Sequence, residues 1–167
     1  MIEILVTLVI TAFGLLGLAG FVSRATVMGV ETNQRTRASA LLLDMSNRLA
    51  SNKANAAAYV DATPHGAAAI AACAALGTLA LRDLCEWNNL LVGTQDALGA
   101  GATAQALTFR GCVTQPNPAD PVFIVTVAWA ATVPGIPPAD ACAAGGFGDD
   151  SFRRILRTQL RVPDLKA

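Results

Sequence analysis

Charge is scarce in this chain. Only 14 % of its 167 residues are charged, and 12 basic side chains cancel 12 acidic ones. A balanced chain gives nucleic acid no electrostatic attraction, so that partner is disfavoured. Histidine is nearly missing: His65 stands alone in "TPHG" with no ligand type beside it. The four cysteines, Cys73, Cys85, Cys112 and Cys142, include no pair at the CxxC spacing of a zinc knuckle or dithiol redox site. GxSxG, P-loop and HExxH patterns are missing too. "GAGATA" at Gly99–Ala104 lacks the strand before and helix after it that a phosphate loop needs. "GDD" at Gly148–Asp150 offers two adjacent acids, far below the roughly six to eight oxygens of a calcium cage. These absences argue against an enzyme and predict no metal and no cofactor.

Two local absences are more telling. No charged side chain lies between Ile4 and Ser23, and no proline precedes Pro64. Spanning ~30 Å of hydrocarbon takes about 20 helical residues, so the uncharged stretch is membrane-length. A cleaved signal peptide fits poorly, because the first charge beside the run is the acid Glu3 and no basic residue precedes it. Beyond Ser23, Val27, Val30, Ala38, Leu41, Leu42, Met45 and Leu49 recur at three- and four-residue steps. Arg24, Glu31, Arg35, Arg37, Asp44 and Arg48 lie largely off that stripe. The pattern predicts one helix to about Asn52, greasy all round over residues 1–24 and amphipathic afterwards. Residues 25–167, including the amphipathic half, form the predicted globular domain. Gly14, Gly17 and Gly20 interrupt the greasy run. Each costs a helix about 0.5–1 kcal/mol, and each lets a neighbouring helix come close.

The rest of the chain reads as α+β. The alanine-rich stretch after Asn52 has weak periodicity, and Pro64 and Gly66 mark a turn. "LALRDLCEWNNLL" reads as a helix with Leu81, Leu84, Trp87 or Asn88, and Leu91 on one side, and Trp87 as a core anchor. "ALTFRGCV", "VFIVTVAWA" and "FRRILRTQLRV" read as three strands of an antiparallel sheet. In the last, Arg154, Leu156, Thr158, Leu160 and Val162 alternate with Arg153, Ile155, Arg157, Gln159 and Arg161. Arg153, Arg154, Arg157 and Arg161 are the most basic cluster, read as a solvated strand face that discourages edge pairing. An even cysteine count behind a membrane-length segment suggests an oxidising compartment and two disulfides, with three pairings open. The favoured pairing joins Cys112 to Cys142, pinning a loop rich in proline and glycine, and Cys73 to Cys85.

"MIEILVTLVI", with an acid at the head of an uncharged helix, resembles the N-terminus of type IV pilins, Glu3 matching the family's signature glutamate. "RASALLLDMSNRLASNKANAAAYV", "LALRDLCEWNNLL", "GCV", "VTVAW" and "FRRILRTQLRV" resemble, in the same order, segments of minor pilins of the PilV kind, so the resemblance covers nearly the whole chain. It implies a type IV pilin fold, with a long N-terminal helix packed on a C-terminal antiparallel sheet. It implies a structural pilus subunit held in the inner membrane before assembly, then carried in a filament at the cell surface. Its partners would be other pilin subunits and the pilus assembly machinery. Leader cleavage and N-terminal methylation are implied in the same way. Glu3 would then meet the N-terminal amine of a neighbouring subunit, and the spine around Gly14, Gly17 and Gly20 would unwind on leaving the bilayer. A pseudopilin of type II secretion, or a periplasmic domain on a single-span anchor, are the alternatives.

Overall fold

The computed structural model describes residues 2–61, 63–93 and 109–162. The glycine-rich stretch at residues 99–104 and the start of the first strand candidate, residues 106–108, lie outside them. The chain divides into two compact units, Met1–Asn33 and Gln34–Ala167.

Helix α1 runs unbroken from Ile2 to Ser51. From Ile4 to Ser23 it carries no charged side chain and is exposed on every side. Threonine hydroxyls along it bond back to the helix. Thr7 Oγ1 donates to the Ile4 carbonyl at 2.8 Å, Thr11 to Thr7 at 2.8 Å and Thr26 to Val22 at 2.9 Å. Such back-bonding gives these threonine hydroxyls a partner within the helix.

From Gln34 onward α1 is amphipathic in fact. Gln34, Ala38, Leu42, Met45, Ser46 and Leu49 are buried, and Leu41 packs against the core from its rim. The buried stripe therefore begins at Gln34, not at Val27. Val27 and Val30 remain 37 % and 39 % exposed, in the first unit. Gln34 Nε2 donates at 3.1 Å to the carbonyl of Ala130 at the end of a strand.

The alanine-rich segment is mostly non-repetitive, with two short 3-10 turns at Lys53–Tyr59 and Cys73–Ala75. Helix α2 spans Leu79–Val92. Thr78 caps it by accepting from Leu81 N, and Gly93, at φ 82°, closes it in the left-handed conformation that glycine adopts without cost. Its buried face is Ala80, Leu84, Cys85, Trp87, Asn88 and Leu91. Leu81 was expected on that side and is instead 48 % exposed. Ala80 holds the buried position at that level, and the next residue turns about 100° away.

The sheet has strands β1 (Phe109–Thr114), β2 (Val122–Ala130) and β3 (Arg153–Arg161) in the order β1-β2-β3, all antiparallel. Cys112 opposes Thr126, which opposes Arg157. One face carries Phe109, Val113, Phe123, Val125, Val127 and Trp129 into a single core with α2 and the buried stripe of α1. Leu156 and Leu160 of β3 pack against it, in keeping with the alternation in that strand. The free edge of β1 is covered by the segment through His65, whose N–H and carbonyl both pair with Gly111 at 2.8 and 3.0 Å. Trp87 stands at the centre, fully buried. Its indole lies where a Cβ on Gly111 would be, and its Nε1 donates to the Leu41 carbonyl of α1 at 2.9 Å. The fold is α+β.

Candidate functional site

The sequence singles out Glu3 and three glycines. Glu3 occupies the first turn of α1 and is exposed. An acid there complements the partial positive charge of the helix start. Gly14, Gly17 and Gly20 lie in continuous helix, and a Cβ added at any of them would meet nothing within 4 Å. No packing inside the chain requires a glycine at these positions. Around them Ile4, Leu8, Phe13, Leu16 and Phe21 are each at least 65 % exposed. By length and composition α1 can cross a membrane. Between Ile4 and Ser23 the first unit thus presents an all-round uncharged, exposed surface headed by one carboxylate. Contiguous apolar surface on that scale marks a membrane or an assembly contact.

Among the described residues no group of three His, Cys, Asp or Glu side chains is placed to hold a metal. The ionic groups of the globular unit hold structure together. Arg48 of α1 bridges Asp44 at 2.9 Å, Asp83 at 3.0 Å and Glu86 at 2.7 Å, joining α1 to α2. These acids hold the Arg48 proton more tightly, against the opposing effect of burial. The Tyr59 hydroxyl donates to Asp83 at 2.5 Å. Burial first, and then that bond, push its pKa up to about 12. His65 sits against Trp87, with ring centroids 5.9 Å apart. Burial pushes its imidazole pKa down, and the Asp61 carboxylate opposes this from 3.7 Å, too far for a hydrogen bond to Nε2.

The four cysteines form two bonds, Cys73–Cys85 and Cys112–Cys142, with Cα atoms 5.5 and 5.9 Å apart. The first ties the alanine-rich segment to α2. The second ties β1 to the long loop between β2 and β3, across the face of the sheet opposite the core.

That loop is held by more than its disulfide, and the holder is a residue the sequence reading placed in solvent. Arg153 is 2 % exposed. Its guanidinium donates to the carbonyls of Asp140 at 2.7 Å, Cys142 at 3.0 Å and Pro138 at 3.1 Å. It also forks onto the Asp150 carboxylate at 3.1 and 2.9 Å. Arg153 and the Gly145 N–H hold the half-buried Asp150 carboxyl below the usual carboxylate range. Arg154 points elsewhere, donating to the carbonyls of Ser151 at 2.8 Å and Val133 at 2.7 Å. The expected basic face is therefore dismantled. Two of its four arginines are spent on loop carbonyls, and of the other two Arg157 is 64 % exposed and 3.9 Å from Asp140. The available signal was the pair "DD" three residues before "RR", a spacing at which Asp150 and Arg153 meet. "GDD" likewise has an occupation already. Asp149 caps the short 3-10 turn by accepting from Ser151 N at 2.9 Å.

The long apolar N-terminal helix and the antiparallel sheet are compatible with a pilin-like fold. No known protein-family model, curated protein or solved structure matches the chain.

Proposed function

We propose that the chain is a filament subunit of the type IV pilus kind, and in particular a minor pilin that supports pilus initiation or biogenesis. In this reading α1 anchors the subunit in the inner membrane until assembly. It then exchanges lipid for the α1 helices of other pilin subunits in a filament at the cell surface, with the pilus assembly machinery as a further partner. The globular unit is display and packing surface and carries no catalysis. The observation that supports it best is the first unit itself, an exposed greasy helix of membrane length headed by Glu3, continuous with a spine buried in a disulfide-bonded domain. Lipid-exposed surface needs no glycines, whereas close packing of helix on helix uses them. An ionised carboxylate at a greasy helix head is costly inside an assembly unless it is paired. A paired one sets register. Two disulfides fit an oxidising compartment outside the cytoplasm. A pseudopilin of type II secretion would use the same physics. A merely anchored periplasmic domain would not need Glu3.

The test is Glu3→Leu in cells that make the fibres. We expect normal membrane insertion and loss of the chain from sheared fibres, followed by electron microscopy and mass spectrometry. Undiminished incorporation of that variant would sink the proposal.

A further inference from the structure

Between His65 and α2 the chain has little of its own to hold it. From Gly66 to Leu81 there is no charged side chain, and seven of the nine residues 67–75 are alanine. None of residues 67–79 is buried, so no apolar side chain anchors this strap in the core. Ala72 takes the left-handed conformation, φ 58°, which a Cβ disfavours. The turn that presents Cys73 therefore does not form for its own sake. Two neighbouring asparagines of α2 supply what is missing. The Asn88 amide accepts from the Gly66 N–H at 2.7 Å and donates to the Ala68 carbonyl at 2.7 Å. The Asn89 amide accepts from the Ile70 N–H at 2.8 Å and donates to the Ile70 carbonyl at 2.8 Å. A primary amide carries donor and acceptor side by side, so each asparagine bonds the strap as a neighbouring strand would. Asn89 Nδ2 also lies 3.5 Å from Cys73 Sγ. Cys85 stands one helical turn before this pair and is 3 % exposed.

We infer that Asn88 and Asn89 are a latch that docks the strap on α2 and so presents Cys73 to Cys85 before their disulfide exists. The latch acts by raising the effective concentration of one thiol at the other. Oxidation by a small disulfide such as glutathione disulfide then runs in two exchanges. The Cys73 thiolate attacks one glutathione sulfur and expels the other as a thiolate. The Cys85 thiolate next attacks the Cys73 sulfur of that mixed disulfide and expels the second glutathione. Two protein thiols are oxidised, one glutathione disulfide is reduced to two glutathiones, and the two thiol protons end on them. Cys73 takes the first step because Cys85 is buried. The coupling is reciprocal: the closed bond tightens the latch by the factor with which the latch favours the bond. Asn88 and Asn89 are positioning residues and take no part in the exchange itself. The latch lies in the globular unit and does not depend on the filament reading.

The test uses the full chain in detergent. With Cys73→Ser and Cys85→Ser combined, amide hydrogen exchange reads the latch without the bond. The Ile70 residue is 46 % exposed, so burial alone does not shield its N–H. We expect that N–H to exchange at least about tenfold more slowly than in an unstructured chain. Exchange at the unstructured rate would overturn the latch, because the disulfide alone would then hold the strap. In the chain with its native cysteines, equilibration in a glutathione buffer, alkylation and peptide mapping read the effective concentration within each cysteine pair. Asn89→Ala should lower it roughly tenfold for Cys73 and Cys85 and leave Cys112 and Cys142 unchanged. Asn89→Asp keeps the acceptor for the Ile70 N–H, loses the donor and should fall between. Arg82→Ala, on the exposed side of α2, should change neither pair. An Asn89→Ala chain that keeps the wild-type value for Cys73 and Cys85, or that falls equally at both pairs, also overturns the latch.

Discussion

Replacing Arg153 with methionine keeps the length and apolar stem of the side chain and removes its guanidinium. In the folded chain that group makes five hydrogen bonds, three to carbonyls of residues 138, 140 and 142 and two to the Asp150 carboxylate. Taken singly at about 1.5–3 kcal/mol each, they would sum to more than many domains possess. That sum is not the expected loss, because burying the guanidinium already costs several kcal/mol that the bonds must first offset. What the substitution leaves behind decides the magnitude. Three loop carbonyls lose their donor, and the part-exposed Asp150 rehydrates. Breaking a buried charge pair by removing one partner costs about 3–5 kcal/mol, which we expect here. In thermal unfolding of the full chain in detergent with disulfides intact, that is a drop of roughly 10–20 °C. Arg157→Met is the matched control. Its side chain is 64 % exposed and 3.9 Å from Asp140, so it should cost no more than about 0.5 kcal/mol. Arg153→Lys keeps the charge but loses the planar fork and should fall between the two. Equal effects of Arg153→Met and Arg157→Met would refute the reasoning, because the loop would then be held by its disulfide alone.

Gly111→Ala drives a methyl into the Trp87 indole, which is fully buried and has nowhere to move. We expect about 3 kcal/mol of destabilisation and a weakened near-ultraviolet dichroism signal from tryptophan. Cys112→Ser with Cys142→Ser opens a link between residues 30 apart in sequence. In the chain-entropy picture this costs about 3–4 kcal/mol, measurable as a lower urea midpoint. Tyr59 is the only tyrosine, so its titration can be followed by phenolate absorbance without interference. Its folded pKa, pushed up to about 12, lies above the ordinary value of 10. The folded state then binds more protons than the unfolded one within that window. The contribution is complete below pH 10 and is lost as pH rises through 12. Tyr59→Phe should abolish that alkaline slope.

The long helix was legible because its signals are local. An uncharged run without proline, followed by apolar residues at helical steps, needs no knowledge of the rest of the chain. Alternation in residues 153–162 identified β3 for the same reason, and "VFIVTVAWA" coincides with β2, Val122–Ala130. The misreadings have one origin, which is that burial belongs to a partner. Val27 and Gln34 both follow helical spacing, but Val27 is exposed while Gln34 is buried and bonded to the Ala130 carbonyl. Leu81 is more apolar than Ala80, yet Ala80 faces the core. Four arginines in nine residues look like a surface, and one of them became the buried anchor of a loop.

From the sequence alone came the order and kind of the elements, the membrane-length stretch and the solitary acid at its head, since each depends on neighbours along the chain. Three cysteine pairings were open on residue count, with Cys112–Cys142 favoured, and the tertiary structure has that bond; only the tertiary structure placed Arg153 beneath the carbonyls of residues 138–142. It also placed Trp87 over Gly111. Those are contacts between residues 11 to 30 positions apart. Such partners are chosen by how the loop crosses the sheet and how α2 lies on it, and no local pattern encodes either path.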